Sequence, residues 1–346
     1  MSRLILVLRD LHPARLSEAA RAALPRLPQL ERWLARGQTD LAAGGWRQWL
    51  QRESRDLELR TVPLASIAAA AVSKVPAGLP VWLATPLHLV AGLDTVRVHP
   101  AGALHLSGPE QQALEQDFGR VFAGSGWSLH ATGRREMLLA GGPTLETGAV
   151  RSHDPAGWLG ADPRAGLPTG PGADGLRRLG TEMEMWLHEH PVNQARLAQG
   201  SLSASAIWIW GGGAPASAIS ALAPRSLGHP AVAWADDLFV DGLARLEELA
   251  VEPLPERWPP AAATARKPVT WWLAVCELGA APDERTLRSL EGDWIAPAFE
   301  QWRSRVVQTA TLLAGTHAVT LERSPWRPQW RRFRRTRPWW ETLLQC

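Results

Sequence analysis

The residues best suited to bind a small anion lie close together in the sequence. His190, Asn193 and Arg196 are spaced three residues apart. An apolar run at 206–210 follows them, and three glycines, including Gly211 and Gly212, come directly after it. A guanidinium can hold a phosphate or carboxylate through two charge-assisted hydrogen bonds, and glycines let backbone N–H groups approach a ligand. This spacing therefore predicts a site for a phosphorylated or carboxylated ligand.

A second segment could complete that site. Residues 153–175 are rich in Gly, Pro and Asp and have no apolar periodicity, so we expect a long loop that places Asp154 opposite the anion. The alternative is purely structural. Pro191 cannot continue the preceding helix, and Asn193 is a favoured N-cap for a short helix that we expect to end at Gly200.

Composition limits the function classes. Two cysteines, Cys276 and Cys346, exclude a disulfide framework or a cysteine-rich zinc site. No run approaches the ~20 apolar residues of a membrane span, and the apolar run at 4–8 is too short for a signal peptide. A net charge of +3 is too small to attract nucleic acid or a membrane overall. We therefore expect a cytoplasmic protein.

The far C-terminus, 323–346, differs from the rest because it mixes Arg with Trp. Cations interleaved with aromatic rings suit single-stranded nucleic acid, an anionic membrane surface or an acidic protein partner. The same composition also suits a segment whose Trp side chains pack on the protein while its Arg side chains face solvent. An acidic protein partner and nucleic-acid binding through this tail both remain open at this point.

Strands and helices alternate along most of the chain, which predicts a mostly parallel, doubly wound α/β sheet. The predicted strands are 4–8, 206–210, 231–234, 270–275 and 309–313, and the predicted helices are 28–37, 46–53, 176–189, 241–249 and 284–303. Between 80 and 147 the pattern changes to short strands at 81–83, 95–98, 103–106, 128–132 and 137–139, with a helix at 108–122. We predict that this block is an inserted α+β domain of ββαββ order.

Several of these segments resemble archaeal-type, cofactor-independent phosphoglycerate mutases of the alkaline phosphatase superfamily. The segment 190–213 is similar to that family's His-Pro-Val-Asn, a following Arg, a Gly, and a strand ending in Gly. Segments 28–37, 152–155 and 241–245 resemble further elements of the family. RpfE-type bacterial regulatory proteins share the Trp-x-Trp-Gly-Gly-Gly strand end and a Trp/Arg-rich tail.

The resemblance implies an alkaline-phosphatase-like, doubly wound core formed by 1–79 and 148–346. It implies an inserted, substrate-covering domain at 80–147, and it leaves 323–346 as a separate basic tail. It also implies phosphoryl transfer through two divalent metals and a phosphorylated Ser, because two metals clamp the attacking and leaving oxygens.

Most of the metal-binding and nucleophile residues of this family's enzymes are missing from this chain. Of the family's metal-binding elements only Asp10, Glu277 and His317 remain, and the Pro-Gly-Ser of the nucleophile is missing near 44–46. We therefore assign no catalytic residue, treat those three residues as vestigial metal ligands, and expect no cofactor. The alternative is a rearranged site that holds Mn or Zn.

The resulting interpretation is a phosphoglycerate-mutase-like regulatory or ligand-sensing protein that binds a small anionic metabolite. The first alternative is an active mutase or phosphatase with a rearranged metal site. The second alternative is a nucleic-acid binder that acts through the Arg/Trp tail.

Overall fold

The computed structural model describes residues 2–13, 16–54, 57–76, 78–142, 149–214, 231–247, 249–259, 271–278, 282–323 and 336–345. The chain divides into two compact units. Unit one contains 1–49, 226–235 and 249–346, and unit two contains 50–225 and 236–248.

The strands are numbered in chain order. They are β1 (Arg3–Arg9), β2 (Gln38–Leu41), β3 (Val81–Ala91), β4 (Val96–Ala103), β5 (Trp127–His130), β6 (Met137–Gly141), β7 (Ala206–Trp210), β8 (Ala231–Trp234), β9 (Ala250–Glu252), β10 (Trp271–Glu277), β11 (Thr309–Ala314) and β12 (His317–Glu322).

The helices are numbered in the same way. They are α1 (Glu18–Ala22), α2 (Pro28–Arg36), α3 (Trp46–Arg52), α4 (Leu64–Ala69), α5 (Gly108–Val121), α6 (Ala173–His188), α7 (Pro191–Ala198), α8 (Leu238–Glu247), α9 (Glu284–Leu290), α10 (Ala296–Arg303) and α11 (Trp339–Gln345). A π-helical turn, Glu291–Ile295, joins α9 to α10, so the predicted helix at 284–303 is continuous. None of the described helices is long and apolar enough to cross a membrane.

Unit one is built on a seven-stranded sheet of order β2-β12-β11-β1-β10-β8-β9. The strands β11, β1, β10, β8 and β9 run parallel, and β12 and β2 are antiparallel additions. The central strand β1 is apolar and buried from Leu4 to Leu8, as expected for a parallel strand covered on both faces. The predicted mixed α/β architecture with a mostly parallel sheet is therefore confirmed.

Three strands of this sheet, β2, β9 and β12, were not predicted. β12 follows β11 through a two-residue turn in which Gly315 has φ +57°, as the first position of a type II′ hairpin turn requires. β2 has the polar sequence QTDL and is exposed throughout. It is a strand because its backbone pairs with β12, which its own residues do not indicate.

Tryptophan side chains fill much of the core of unit one. Trp234, Trp258 and Trp294 form a buried cluster whose three ring pairs are edge-to-face. Trp33 is fully buried, and its indole N–H donates to the Val319 carbonyl at 3.0 Å. Each of these rings therefore contributes a large apolar contact area to the core, and the indole N–H of Trp33 also has a hydrogen-bond acceptor.

Unit two contains a separate five-stranded sheet with antiparallel pairing. The order β3, β4, α5, β5, β6 reproduces the predicted ββαββ sequence, and none of the described strands of this unit pairs with the seven-stranded sheet. The predicted strand at 103–106 is not formed, although Leu104 and Leu106 are buried there. Within 153–175 the chain makes two short 3-10 turns, Pro155–Trp158 and Pro163–Gly166.

Our prediction that 206–210 belongs to the parallel sheet is wrong. We expected 206–210 to belong to it, but β7 pairs antiparallel with β3 in unit two. Its Ile207 and Ile209 side chains join the core formed by α5 and α6, whereas the Trp210 indole N–H donates to Thr85 at 2.9 Å. A short, wholly apolar strand carries no signal that distinguishes one buried sheet from the other.

Unit two is larger than the predicted inserted domain, since it extends from 50 to 225 and includes 236–248. The domain boundaries 1–79, 80–147 and 148–346 stay a prediction. Most of the predicted tail, 324–335 and 346, lies outside the described residues.

The tail helix α11 provides a test of core packing. Trp339 is fully buried and its indole N–H donates to the Pro25 carbonyl at 3.0 Å, whereas the neighbouring Trp340 is only partly buried. We expect Trp339→Ala to lower the free energy of unfolding by about 3–5 kcal/mol, the usual cost of truncating a buried Trp. Trp340→Ala is the control and should cost clearly less in urea unfolding. An equal loss in the free energy of unfolding for the two variants would show that Trp339 does not anchor α11.

Candidate functional site

The carboxyl end of β1 is the natural place for a site in unit one. In open α/β sheets, ligands bind outside the carboxyl ends of the parallel strands. β1 lies between β10 and β11, and Arg9 at its end is in register with Glu277 at the end of β10. The next residue, Asp10, has φ +66°, a conformation that few residues other than Gly adopt and that often marks a functional site.

A guanidinium lies between the carboxylates at this position. Arg9 Nη1 is 3.1 Å from Glu277 Oε1, and Arg9 Nε is 3.9 Å from Asp10 Oδ2. The side chains of Arg9 and Asp10 are 4% and 5% exposed, whereas that of Glu277 is 31% exposed. A permanent positive charge is therefore buried against two of the three residues that we interpreted as vestigial metal ligands.

The residues present do not fit a dinuclear metal centre. The fixed charge of Arg9 repels a divalent cation from the same two carboxylates. His317 begins β12 opposite Ala314 of β11, so it lies two strand spacings, about 10 Å, from β1. Among the described residues, no three His, Cys, Asp or Glu side chains form a group that could hold a metal ion.

A cleft of about 320 Å³ opens beside Glu277 in unit one. Its lining includes the Glu277 carboxylate, one cationic side chain, Arg285, and the hydroxyl groups of Thr286 and Ser289. Cys276 also borders the cleft, but burial raises the pKa of its thiol to about 12, so it stays protonated at neutral pH and is a poor nucleophile. The cleft can therefore accept a small polar ligand but contains no activated thiol.

The residues of the predicted anion site make internal contacts in unit two. Asn193 is 3% exposed, and its amide N–H groups donate to the carbonyls of Leu187 and Ala204 at 2.7 and 2.8 Å. Its Oδ1 accepts from Ala204 N at 2.7 Å. Asn193 thus joins the end of α6 to the segment before β7.

The predicted N-cap is wrong. Asn193 lies inside α7, and His190 is the N-cap, because Pro191 occupies the first helical position and the cap is the residue before it. His190 Nδ1 accepts from Val192 N at 3.1 Å, and its Nε2 is 3.4 Å from Asp117 Oδ2. Burial lowers the pKa of His190 despite the opposing charge of Asp117, which keeps the ring neutral near pH 7.

Arg196 also has partners within the protein. Its Nε donates to the Leu202 carbonyl at 2.7 Å, and its Nη1 donates to Glu110 Oε1 at 2.8 Å. The Arg196 side chain is 12% exposed and that of Glu110 is 24% exposed. Since Glu110 also closes the capping box of α5 with Ser107, this ion pair connects α7 to the start of α5.

The glycines and Asp154 form a second group. Gly211 N donates to Ser152 Oγ at 2.9 Å. A Cβ on Gly212 would lie 1.9 Å from the Val81 carbonyl oxygen, so glycine is required there by close backbone packing. Asp154 caps the turn Pro155–Trp158 by accepting from Ala156 N.

The structure therefore does not bring the six predicted residues together at one place. Asn193 contacts Ala204 before β7, whereas Gly211 follows the end of β7. The five residues of β7 separate the two groups by about 17 Å at ~3.3 Å per residue.

Sequence reasoning also missed an ion cluster in unit two. Arg134 Nε is 2.7 Å from Asp241 Oδ2, and Arg134 Nη1 is 2.6 Å from Asp236 Oδ1. Burial raises the pKa of Asp241, although the hydrogen bond from Arg134 acts to lower it. No local signal could have found this cluster, because about a hundred residues separate the partners.

Comparison with known proteins adds distant structural similarity. No protein-family profile matches the chain, and no curated protein sequence is significantly similar to it. A cofactor-independent phosphoglycerate mutase from Thermoplasma acidophilum is similar over 93% of this chain and 90% of its own, with 16% identity and a TM-score of 0.38. The PH0037 protein from Pyrococcus horikoshii is similar over 92% of this chain and 86% of its own, with 13% identity and a TM-score of 0.43. At TM-scores below 0.5, neither similarity assigns a family or an activity to this chain.

The contacts of Asn193 generate a prediction about stability. Asn193→Ala leaves buried backbone groups at Leu187 and Ala204 without a partner, so we expect a loss of roughly 1–3 kcal/mol. Gln194→Ala is the matched control, because that side chain makes a single exposed contact with the Glu189 carbonyl. The measurement is the urea midpoint of both variants. A loss at Asn193 no larger than at Gln194 would contradict the structural role.

Proposed function

We propose that the protein is a phosphoglycerate-mutase-like regulatory or ligand-sensing protein in which internal ion pairing replaces the metal chemistry that the resemblance implies. The observation that carries the proposal is the buried Arg9 guanidinium, 3.1 Å from Glu277 at the carboxyl end of β1. An arginine neutralises carboxylates as a metal does. It has no open coordination position and does not generate a metal-bound nucleophile, which is what phosphoryl transfer in such enzymes requires.

The ligand of the proposal is a small phosphorylated or carboxylated metabolite. The cleft beside Glu277 offers about 320 Å³ and the cationic Arg285, which supports anion binding in unit one. Binding at His190, Asn193 and Arg196 stays a second prediction, since it requires the Arg196–Glu110 ion pair to open.

We further propose that the protein is a cytoplasmic bacterial regulator of the RpfE type. The basic tail, 323–346, would then bind an acidic protein partner. Two sequence features support this assignment: the Trp-x-Trp-Gly-Gly-Gly strand end and the Arg/Trp composition of the tail.

The metal aspect is tested with Arg9→Ala. We expect elemental analysis of the wild-type protein to find no stoichiometric pair of Mn or Zn. Removing Arg9 leaves Asp10 buried without that cation, so the variant should lose stability, toward the lower end of roughly 3–5 kcal/mol because Glu277 is partly exposed. Added Mn²⁺ should restore part of that stability in thermal unfolding.

Arg288→Ala is the control for that experiment, since Arg288 forms an exposed ion pair with Glu284. It should neither destabilise the protein strongly nor create a response to Mn²⁺. Two equivalents of Mn or Zn in the wild type, with phosphatase activity lost on chelation, would instead establish the active-enzyme alternative.

The ligand aspect is tested by thermal shift with 3-phosphoglycerate and inorganic phosphate. A ligand at about 100 times its Kd stabilises the folded state by about 2.7 kcal/mol. We expect Arg285→Ala to weaken binding by roughly 1.5–3 kcal/mol, the range for a hydrogen bond to a charged group, and so to remove about half or more of that stabilisation. Arg196→Ala should lower the starting stability but leave the shift intact. Loss of the shift in Arg196→Ala alone would place the ligand at the His190 site. No shift in the wild type with either probe would contradict the ligand class proposed here.

A further inference from the structure

A serine and a histidine lie side by side on β5 in unit two. Ser128 and His130 are two residues apart on one strand, so their side chains project from the same face of the sheet. Ser128 Oγ is 2.9 Å from His130 Nε2. This is the distance at which a ring nitrogen can take a hydroxyl proton.

An acidic residue faces the other nitrogen of the same ring. His130 Nδ1 is 3.6 Å from Glu115 Oε1 on α5, and both Glu115 oxygens accept from Lys74 Nζ at 2.7 Å. The side chains of His130, Glu115 and Lys74 are 12%, 23% and 46% exposed. Serine, histidine and carboxylate therefore follow one another in the order that a nucleophilic triad requires.

We propose that Ser128 is a nucleophile activated by His130, with Glu115 as a positioning residue, and that the site transfers the acyl group of a small carboxylic ester. The site uses none of the residues of the function proposed above, and its residues lie in unit two, whereas Arg9, Glu277 and Arg285 lie in unit one.

The hydrogen-bond geometry favours transfer toward His130. The Ser128 hydroxyl has one proton, and its other contact, the Ala140 carbonyl, is longer at 3.4 Å. The contacts thus assign Nε2 as the acceptor and leave the Nδ1 proton facing Glu115. Burial lowers the pKa of His130, with Glu115 opposing and Lys74 adding to the effect, so the ring is a neutral base near pH 7.

The edge position of β5 supplies a donor for the developing oxyanion. Among the described strands, β5 pairs with β6 alone. Gly142 N donates to Gly126 O, and in an antiparallel ladder this bonded geometry recurs at every second pair. The Ser128–Ala140 pair is therefore a bonded pair, and the N–H of Leu129 points away from β6. The N–H that follows a nucleophilic serine serves as an oxyanion donor in other folds.

The reaction balances with water as the only co-reactant. Ser128 Oγ forms a bond to the ester carbonyl carbon while its proton passes to His130 Nε2. The carbon–oxygen bond to the alcohol then breaks, and His130 returns the proton to the leaving alcohol. Water repeats the sequence on the acyl-serine and releases the carboxylic acid.

The test is labelling of the full-length protein with a fluorophosphonate probe, followed by peptide mass spectrometry. In this reaction the Ser128 Oγ–P bond forms, the P–F bond breaks, and the proton again goes to His130. We expect stoichiometric labelling of Ser128 in the wild type and none at that peptide in Ser128→Ala. His130→Gln should label about 10²-fold more slowly, the lower range for loss of a general base. Ser201→Ala, which removes an exposed serine of the same unit, should label as the wild type.

Glu115→Gln distinguishes positioning from a merely structural role. Because Glu115 raises the pKa of His130, its loss should move the pH midpoint of labelling to lower pH, whereas lost packing alone would not move it. p-Nitrophenyl acetate is the ester probe, and its hydrolysis should fall with labelling across the variants. An unlabelled Ser128 in folded wild-type protein, or equal labelling rates in the wild type and His130→Gln, would overturn the proposal.

Discussion

The ion pair between Arg9 and Glu277 is the interaction on which the centre of unit one depends. A buried guanidinium is tolerated only when carboxylates neutralise it and accept its hydrogen bonds. The parallel register of β1 and β10 supplies that neutralisation, because it places Glu277 directly opposite Arg9. Register and charge balance therefore stabilise each other, since a slip of either strand by one residue would place the two side chains on opposite faces of the sheet.

Much of this architecture could be predicted from the sequence, and the reason is burial. The strands β1, β8, β10 and β11 are apolar and enclosed, so their own residues identify them. β2 and β9 could not be found this way, because they are short and largely exposed and exist only through pairing with a neighbour. The sheet to which β7 belongs was likewise undetermined, because its residues would suit either interior.

The candidate sites show a different limit of sequence reasoning. Residue types and spacing identified Arg196 and Asn193 as groups able to bind a ligand, but they did not show what the fold places beside them. Glu110 lies 86 residues from Arg196 in the sequence, and Glu277 lies 268 residues from Arg9. A functional group is available to a ligand only if no such distant partner has taken its hydrogen bonds, and the three-dimensional fold determines that.

The central position of β1 also has a consequence for biosynthesis. Both of its neighbouring strands, β10 and β11, are synthesised long after β1. The 268 residues between Arg9 and Glu277 take roughly 15–50 s to translate at 5–20 residues per second. Throughout that interval the apolar strand has no partner in its sheet, while the intervening segments of unit two are completed. The nascent chain therefore holds an apolar strand with unpaired backbone groups during this interval, and such groups can pair with another chain.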